Sequence, residues 1–127
     1  MIRIDEIETN IFEVEITSPR VTEDEESFLG LLDDLIVKDY FGLIFSTEGK
    51  AGFSQDAKKA MSTWFKANKP NLKERCIGFA RVNTSQSKAG KFTSKAMQLA
   101  MPCPYNVVTN NEDAREWIKN LLSAYNN

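Results

Sequence analysis

Between Tyr40 and Lys69 the chain reads as one half of a βαβ unit, and no other stretch constrains the fold as tightly. Tyr40-Phe41-Gly42-Leu43-Ile44-Phe45-Ser46 is a continuous apolar run, the pattern of a strand buried on both faces. Thr47 to Gly52 follows as a turn, in which Gly49 and Gly52 are free to take positive φ. Ser54 then opens a helix whose apolar residues, Ala57, Ala60, Met61, Trp64 and Phe65, share one side. In open sheets built from such units, ligands and partners are met at the C-terminal ends of the strands.

The rest of the chain extends the pattern. Ile2 to Ile7 and Ile11 to Ile16 read as two short strands joined at Asn10, an antiparallel hairpin with the first strand at a sheet edge. In the second, Phe12, Val14 and Ile16 face one way and glutamates the other. Thr22 is the expected N-cap of the next helix, with Glu25 completing a capping box. Phe28, Leu31, Leu32, Leu35 and Ile36 give that helix a buried stripe, and Glu25, Glu26, Asp33 and Asp34 read as its wet face. Asn68 to Asn71 ends the helix that Ser54 opened or begins a bend, and Cys76 to Val82 is a second buried strand. Asn83 to Ser87 is a polar loop, and Ala89 to Ala100 is expected to be helical. Pro102 and Pro104 stiffen a connector to a last strand, Tyr105 to Thr109. Asn110 or Asn111 caps a final helix with Ala114, Trp117, Ile118, Leu121, Leu122 and Tyr125 on its apolar side. The order β-β-α-β-α-β-α-β-α predicts a single α/β domain over residues 1–127, with a mixed, mostly parallel sheet of about five strands and four helices.

Composition narrows the function classes. There is no histidine, which removes Ser-His-Asp and Cys-His nucleophile systems and imidazole-based zinc sites. Cys76 and Cys103 are too few and too far apart in sequence for a disulfide scaffold or a metal site, and are expected as reduced, mostly buried thiols. No metal, cofactor or catalytic residue is expected. No apolar run approaches the ~18–20 residues of a membrane span. Acids stand at Asp5 and Glu6, where a signal peptide would be apolar, so a cytoplasmic protein is expected.

Charge is unevenly spread behind a net −2. Residues 1–57 carry fourteen acids against four bases, and residues 58–95 carry ten bases against one acid. Lys58, Lys59, Lys66, Lys88, Lys91 and Lys95 are therefore candidates for a basic surface facing an anion or an acidic partner, and a solvated helix face is the plainer alternative. The acidic total and the lack of interleaved aromatics argue against nucleic acid. An acidic half beside a basic half also leaves self-association, as a homodimer, open.

The element order resembles that of the SpoIIAA-like, or STAS, domains, whose best-known members are bacterial anti-sigma-factor antagonists. The resemblance rests on the helix opening Val21-Thr22-Glu23-Asp24, the strand Phe41 to Phe45 and the segment Trp64-Phe65-Lys66-Ala67-Asn68. It continues through Pro102-Cys103-Pro104-Tyr105 and Asn111-Glu112-Asp113-Ala114-Arg115-Glu116-Trp117. It implies a small stand-alone module that binds a partner protein or ligand without catalysis. In the antagonists a phosphorylatable serine follows the central strand in an Asp-Ser-Ser-Gly motif. The matching region here, Ser46 to Ser54, contains no such motif, which argues against a kinase-operated switch. Ser54 is the serine at that place, either as a phospho-acceptor or as a plain helix cap.

Two functional expectations follow. The first is a regulatory or binding module that docks a partner protein or a small anionic ligand through Thr47, Gly49, Lys50, Gly52, Asn83, Thr84 and Ser85, beside the basic helices. The second is a carrier of a small apolar or amphipathic, lipid-like ligand, or a weakly membrane-associated form of it, with Phe92, Met97 and Met101 lining its pocket. A small hydrolase or transferase is disfavoured because no nucleophile pairs with a base in the sequence.

Overall fold

The computed structural model describes residues 1–17, 21–47, 54–82 and 102–126, and these hold a five-stranded sheet and four helices. The strands are β1 (Ile2–Glu8), β2 (Ile11–Ile16), β3 (Phe41–Thr47), β4 (Cys76–Val82) and β5 (Tyr105–Val108). They lie side by side in chain order. β1 pairs antiparallel with β2, and the remaining pairs are parallel. The hairpin turn is Thr9-Asn10, with Asn10 at φ 64°, a left-handed position that asparagine tolerates. Glu6 accepts the Asn10 N–H at 2.9 Å, which fastens the turn.

Helices α1 (Thr22–Leu35), α2 (Gln55–Ala67) and α3 (Lys69–Arg75) precede or follow the central strands, and α4 (Asn111–Asn126) closes the chain. The alternation of strand side chains divides the core in two. On one face Phe41, Leu43 and Phe45 of β3 meet Phe28, Leu32 and Leu35 of α1 and Leu72 of α3, with Met61, Trp64 and Phe65 of α2 packed alongside. Phe28 and Phe45 touch with ring centroids 5.0 Å apart. Each such side chain, fully withdrawn from water, contributes about 1.5–3 kcal/mol. On the other face Ile11, Ile44, Ala80 and Val82 meet Ala114 and Ile118 of α4. Gly42 and Gly78 let α4 lie close: a Cβ at Gly78 would stand 2.8 Å from a methyl of Leu121, and one at Gly42 would stand 3.3 Å from Ile118.

Three local expectations change, and a fourth is not reached. The N-cap of α1 is Val21, one residue earlier than Thr22. Val21 has no side-chain acceptor, so the end is held from the other direction: the Asp24 carboxylate accepts the Val21 N–H at 3.0 Å. Glu25 is thereby released from the expected box. Asn68 to Asn71, expected to end α2 or begin a bend, lead instead into the short helix α3 (Lys69–Arg75), because Pro70 falls in the first turn, where its missing N–H costs nothing. The glutamate face of β2 is dry at Glu13, which is 2% exposed beneath α4. The helix expected over residues 89–100 lies outside the described residues.

Candidate functional site

Because the chain leaves β2 and β3 at the same end of the sheet, α1 and α2 both begin there. Their first turns face each other across a cleft of about 650 Å³, lined by Glu23, Glu25, Glu26, Ser54 and Asp56 above an apolar floor of Leu29, Ala57 and Ala60. This is the C-terminal edge of a parallel sheet, the location at which such folds meet ligands.

Ser54 is the N-cap of α2, with extended backbone (φ −64°, ψ 164°) and its Oγ accepting the Ala57 N–H at 3.1 Å. The cap reading of Ser54 is thus present in the structure. The capping serine is itself held from α1. Glu25 accepts the Ser54 N–H at 2.6 Å through one carboxylate oxygen and the Ser54 hydroxyl at 3.0 Å through the other. A carboxylate here sits at the positive end of the α2 dipole, and a charge-assisted bond to a backbone N–H is roughly twice as strong as a neutral one. Glu25 is only 7% exposed, so it is not part of the wet face of α1. Glu26, Asp33 and Asp34 are exposed, as expected. A signal for Glu25 was present: it stands three residues before Phe28, in line with the buried stripe Phe28, Leu32 and Leu35. Its partner, 29 residues away, had no local signature.

Lys58, Lys59 and Lys66 are exposed on the outer side of α2, opposite Ala57, and form no ion pair within 4 Å among the described residues. None of them lines the cleft, whose described lining contains four carboxylates and no base. The cleft and the lysine row are therefore neighbouring surfaces of opposite charge. Thr47 ends β3 at the same edge of the sheet. Gly49, Lys50, Gly52, Asn83, Thr84, Ser85, Lys88, Lys91, Lys95, Phe92, Met97 and Met101 lie outside the described residues. The indole N–H of Trp64 donates to Asp33 at 2.7 Å, tying α2 to α1 one turn below the cleft.

A second buried carboxylate lies on the opposite face. Glu13 accepts both Nε and Nη2 of Arg115, at 2.7 and 2.9 Å, and Arg3 stands 3.8 Å away. The hydrogen bond from Arg115 holds the Glu13 carboxyl below the usual carboxylate range, against the opposing effect of burial, with a further hydrogen bond from Asn111 and the charges of Arg115 and Arg3 assisting. Among the described residues no cluster of three or more His, Cys, Asp or Glu side chains is arranged to hold a metal ion. No helix among them is long and apolar enough to cross a membrane.

No protein-family model matches this sequence, and no curated protein matches it. Its structure is similar to that of an uncharacterised protein of the DUF3478 family from Shewanella loihica PV-4, described as having a SpoIIAA-like fold. The two superpose with a TM-score of 0.63 over 93% of this chain and 92% of the other, at 14% sequence identity. At that identity the likeness speaks for architecture alone. The chain is an α/β protein with a SpoIIAA-like fold.

Proposed function

We propose that this protein is a non-catalytic, STAS-like regulatory module of the bacterial cytoplasm that docks a partner protein at the end of the sheet where β3 gives way to α2. The observation that carries the reading is the latched start of α2: Glu25 of α1 fixes the capping Ser54 beside an open, acid-rimmed cleft. A rigid edge with a carboxylate rim and an adjoining row of exposed lysines suits a protein surface bearing both signs of charge. A small anion is favoured less at the cleft, because Glu23, Glu25, Glu26 and Asp56 would repel it. An anion on the lysine row itself remains compatible with the fold, and a carrier role would need the apolar residues Phe92, Met97 and Met101.

The Ser54–Glu25 contact also supports a non-catalytic reading. The serine Oγ accepts the Ala57 N–H, so the hydroxyl is committed to capping. The carboxylate that touches it is committed to the Ser54 N–H as well. A serine nucleophile is ordinarily activated through a better base than a carboxylate.

The test is comparative affinity capture from the native cell with mass-spectrometric quantification. Glu23→Lys with Glu26→Lys should abolish recovery of a specific partner, and Lys58→Glu with Lys66→Glu should weaken it at least tenfold. Both double variants should melt close to the unaltered protein, since all four side chains are exposed. Undiminished recovery of every captured protein by both variants would sink the docking surface. Turnover in a broad esterase and phosphatase screen, lost on Ser54→Ala, would replace the module by an enzyme.

A further inference from the structure

Cys76 and Cys103, far apart in sequence, end in the same buried cluster. Cys76 is the first residue of β4, and Cys103 lies two residues before β5. The Phe79 N–H donates to the Pro104 carbonyl at 2.8 Å, which carries the β4–β5 pairing back toward Cys103. A register irregularity at the start of β4 accompanies the placement of Cys76 in the same core cluster as Phe79 and Tyr105. There both free thiols are buried, close enough for each to bear on the titration of the other. Neighbouring strands run ~4.8 Å apart, and the Phe79–Tyr105 register carried back sets Cys103 beside Ile77, one residue along from Cys76, a diagonal of ~6 Å that falls within the roughly 4.4–6.8 Å between Cα atoms that a disulfide spans.

We propose that Cys76 and Cys103 form a reversible dithiol–disulfide pair within one chain, oxidised by small hydroperoxides. The hydrogen bond from Cys76 holds the Cys103 thiol below its usual range, while the same bond and burial push Cys76 well above it. Cys103, which lies outside the β4–β5 ladder, is assigned as the attacking sulfur, and Cys76, inside β4, as the resolving one. Its thiolate attacks one peroxide oxygen, the O–O bond breaks, and the alkoxide leaves as an alcohol after taking up a proton. Cys103 is then a sulfenic acid. Cys76 gives up its proton and attacks the Cys103 Sγ, the S–O bond breaks, and hydroxide leaves as water. Two thiols lose two electrons and two protons, and the hydroperoxide is reduced to one alcohol and one water.

The bond would tie the start of β4 to the connection that enters β5 and close a ring over residues 76–103. Both thiols are buried, so the rate follows local opening of this edge of the sheet rather than thiol chemistry alone. Closing a ring of that length should raise Tm by about 5–10 °C.

The test is titration of the full chain with hydrogen peroxide, followed by thiol counting under denaturing conditions, intact mass and peptide mapping. The expected result is loss of both thiols together, a mass lower by two hydrogens, a Cys76–Cys103 linked peptide in a monomer, and a higher Tm. Dithiothreitol should reverse all four. Cys76→Ser should leave Cys103 to accumulate oxygen with no rise in Tm. Thiols that persist in the folded chain, oxygen added without a crosslink in the unaltered protein, or a disulfide between chains would each overturn the proposal.

Discussion

Three carboxylates are buried among the described residues, Glu13, Asp24 and Glu25, and two of them, Glu13 and Glu25, lie on opposite faces of the sheet and are held by different means. Glu13, under α4, is gripped by a guanidinium through two parallel hydrogen bonds. Glu25, on α1, accepts a backbone N–H and a hydroxyl at the start of another helix. The first arrangement is a closed charge pair, in which both lone-pair directions of the acid are answered by one cation. The second couples two helices at the mouth of a cleft through a single serine. The contrast separates a closed charge pair within the fold from a contact at the rim of the cleft, where docking of a partner is proposed.

The largest expected effect breaks the closed pair. Arg115→Ala leaves Glu13 buried with a weaker set of donors, and should cost about 3 kcal/mol in denaturant unfolding, somewhat below the value for a fully buried pair because Arg115 is 44% exposed. The same variant changes the acid limb. The Glu13 carboxyl is lowered in the folded state, so its contribution is complete above the ordinary carboxylate value and is lost as pH falls through the lowered one. Stability measured from about pH 7 to pH 3 should fall less steeply in Arg115→Ala than in the unaltered protein. Equal slopes would show that Glu13 gains nothing from its partner.

The two faces also differ in what the sequence made legible. The strand Phe41 to Phe45 and the stripe Ala114, Ile118 and Leu122 could be read because burial there repeats with the local period. The contacts of Glu13 and Glu25 could not, because their partners lie 102 and 29 residues away, although the place of Glu25 in line with Phe28 and Leu32 signalled its burial. On β2 the glutamates alternate with apolar residues, which is the signature of a half-wet strand. That inference failed at Glu13 because α4, from the far end of the chain, covers the second face. Ser54 was legible as a cap from type and position alone, but nothing local indicated that the cap would be clasped by α1. Pro70 was read as a break because proline stops helices from within, whereas here it begins one.

A smaller effect sharpens the comparison on the other face. Glu25→Ala should cost about 2 kcal/mol, and Ser54→Ala about 1 kcal/mol, with the pair of changes falling short of their sum because both remove one shared contact. A double-mutant cycle in denaturant gives that shortfall directly. Full additivity would mean that the two side chains do not act together. Smaller still is the expected stability change of Glu23→Lys with Glu26→Lys, within about 0.5 kcal/mol per site, since both side chains are exposed. A large loss there would move the cleft rim from recognition to structure.

The proposed docking edge is tested most directly by placing a photo-crosslinking residue at Glu26, on the cleft rim, and separately at Glu116, exposed on α4 across the sheet. After irradiation in the native cell, the expected result is one covalent adduct of defined mass from position 26 and none from position 116. Adducts from position 116 alone, or an identical set from both, would place the binding surface elsewhere and contradict the role assigned to the start of α2.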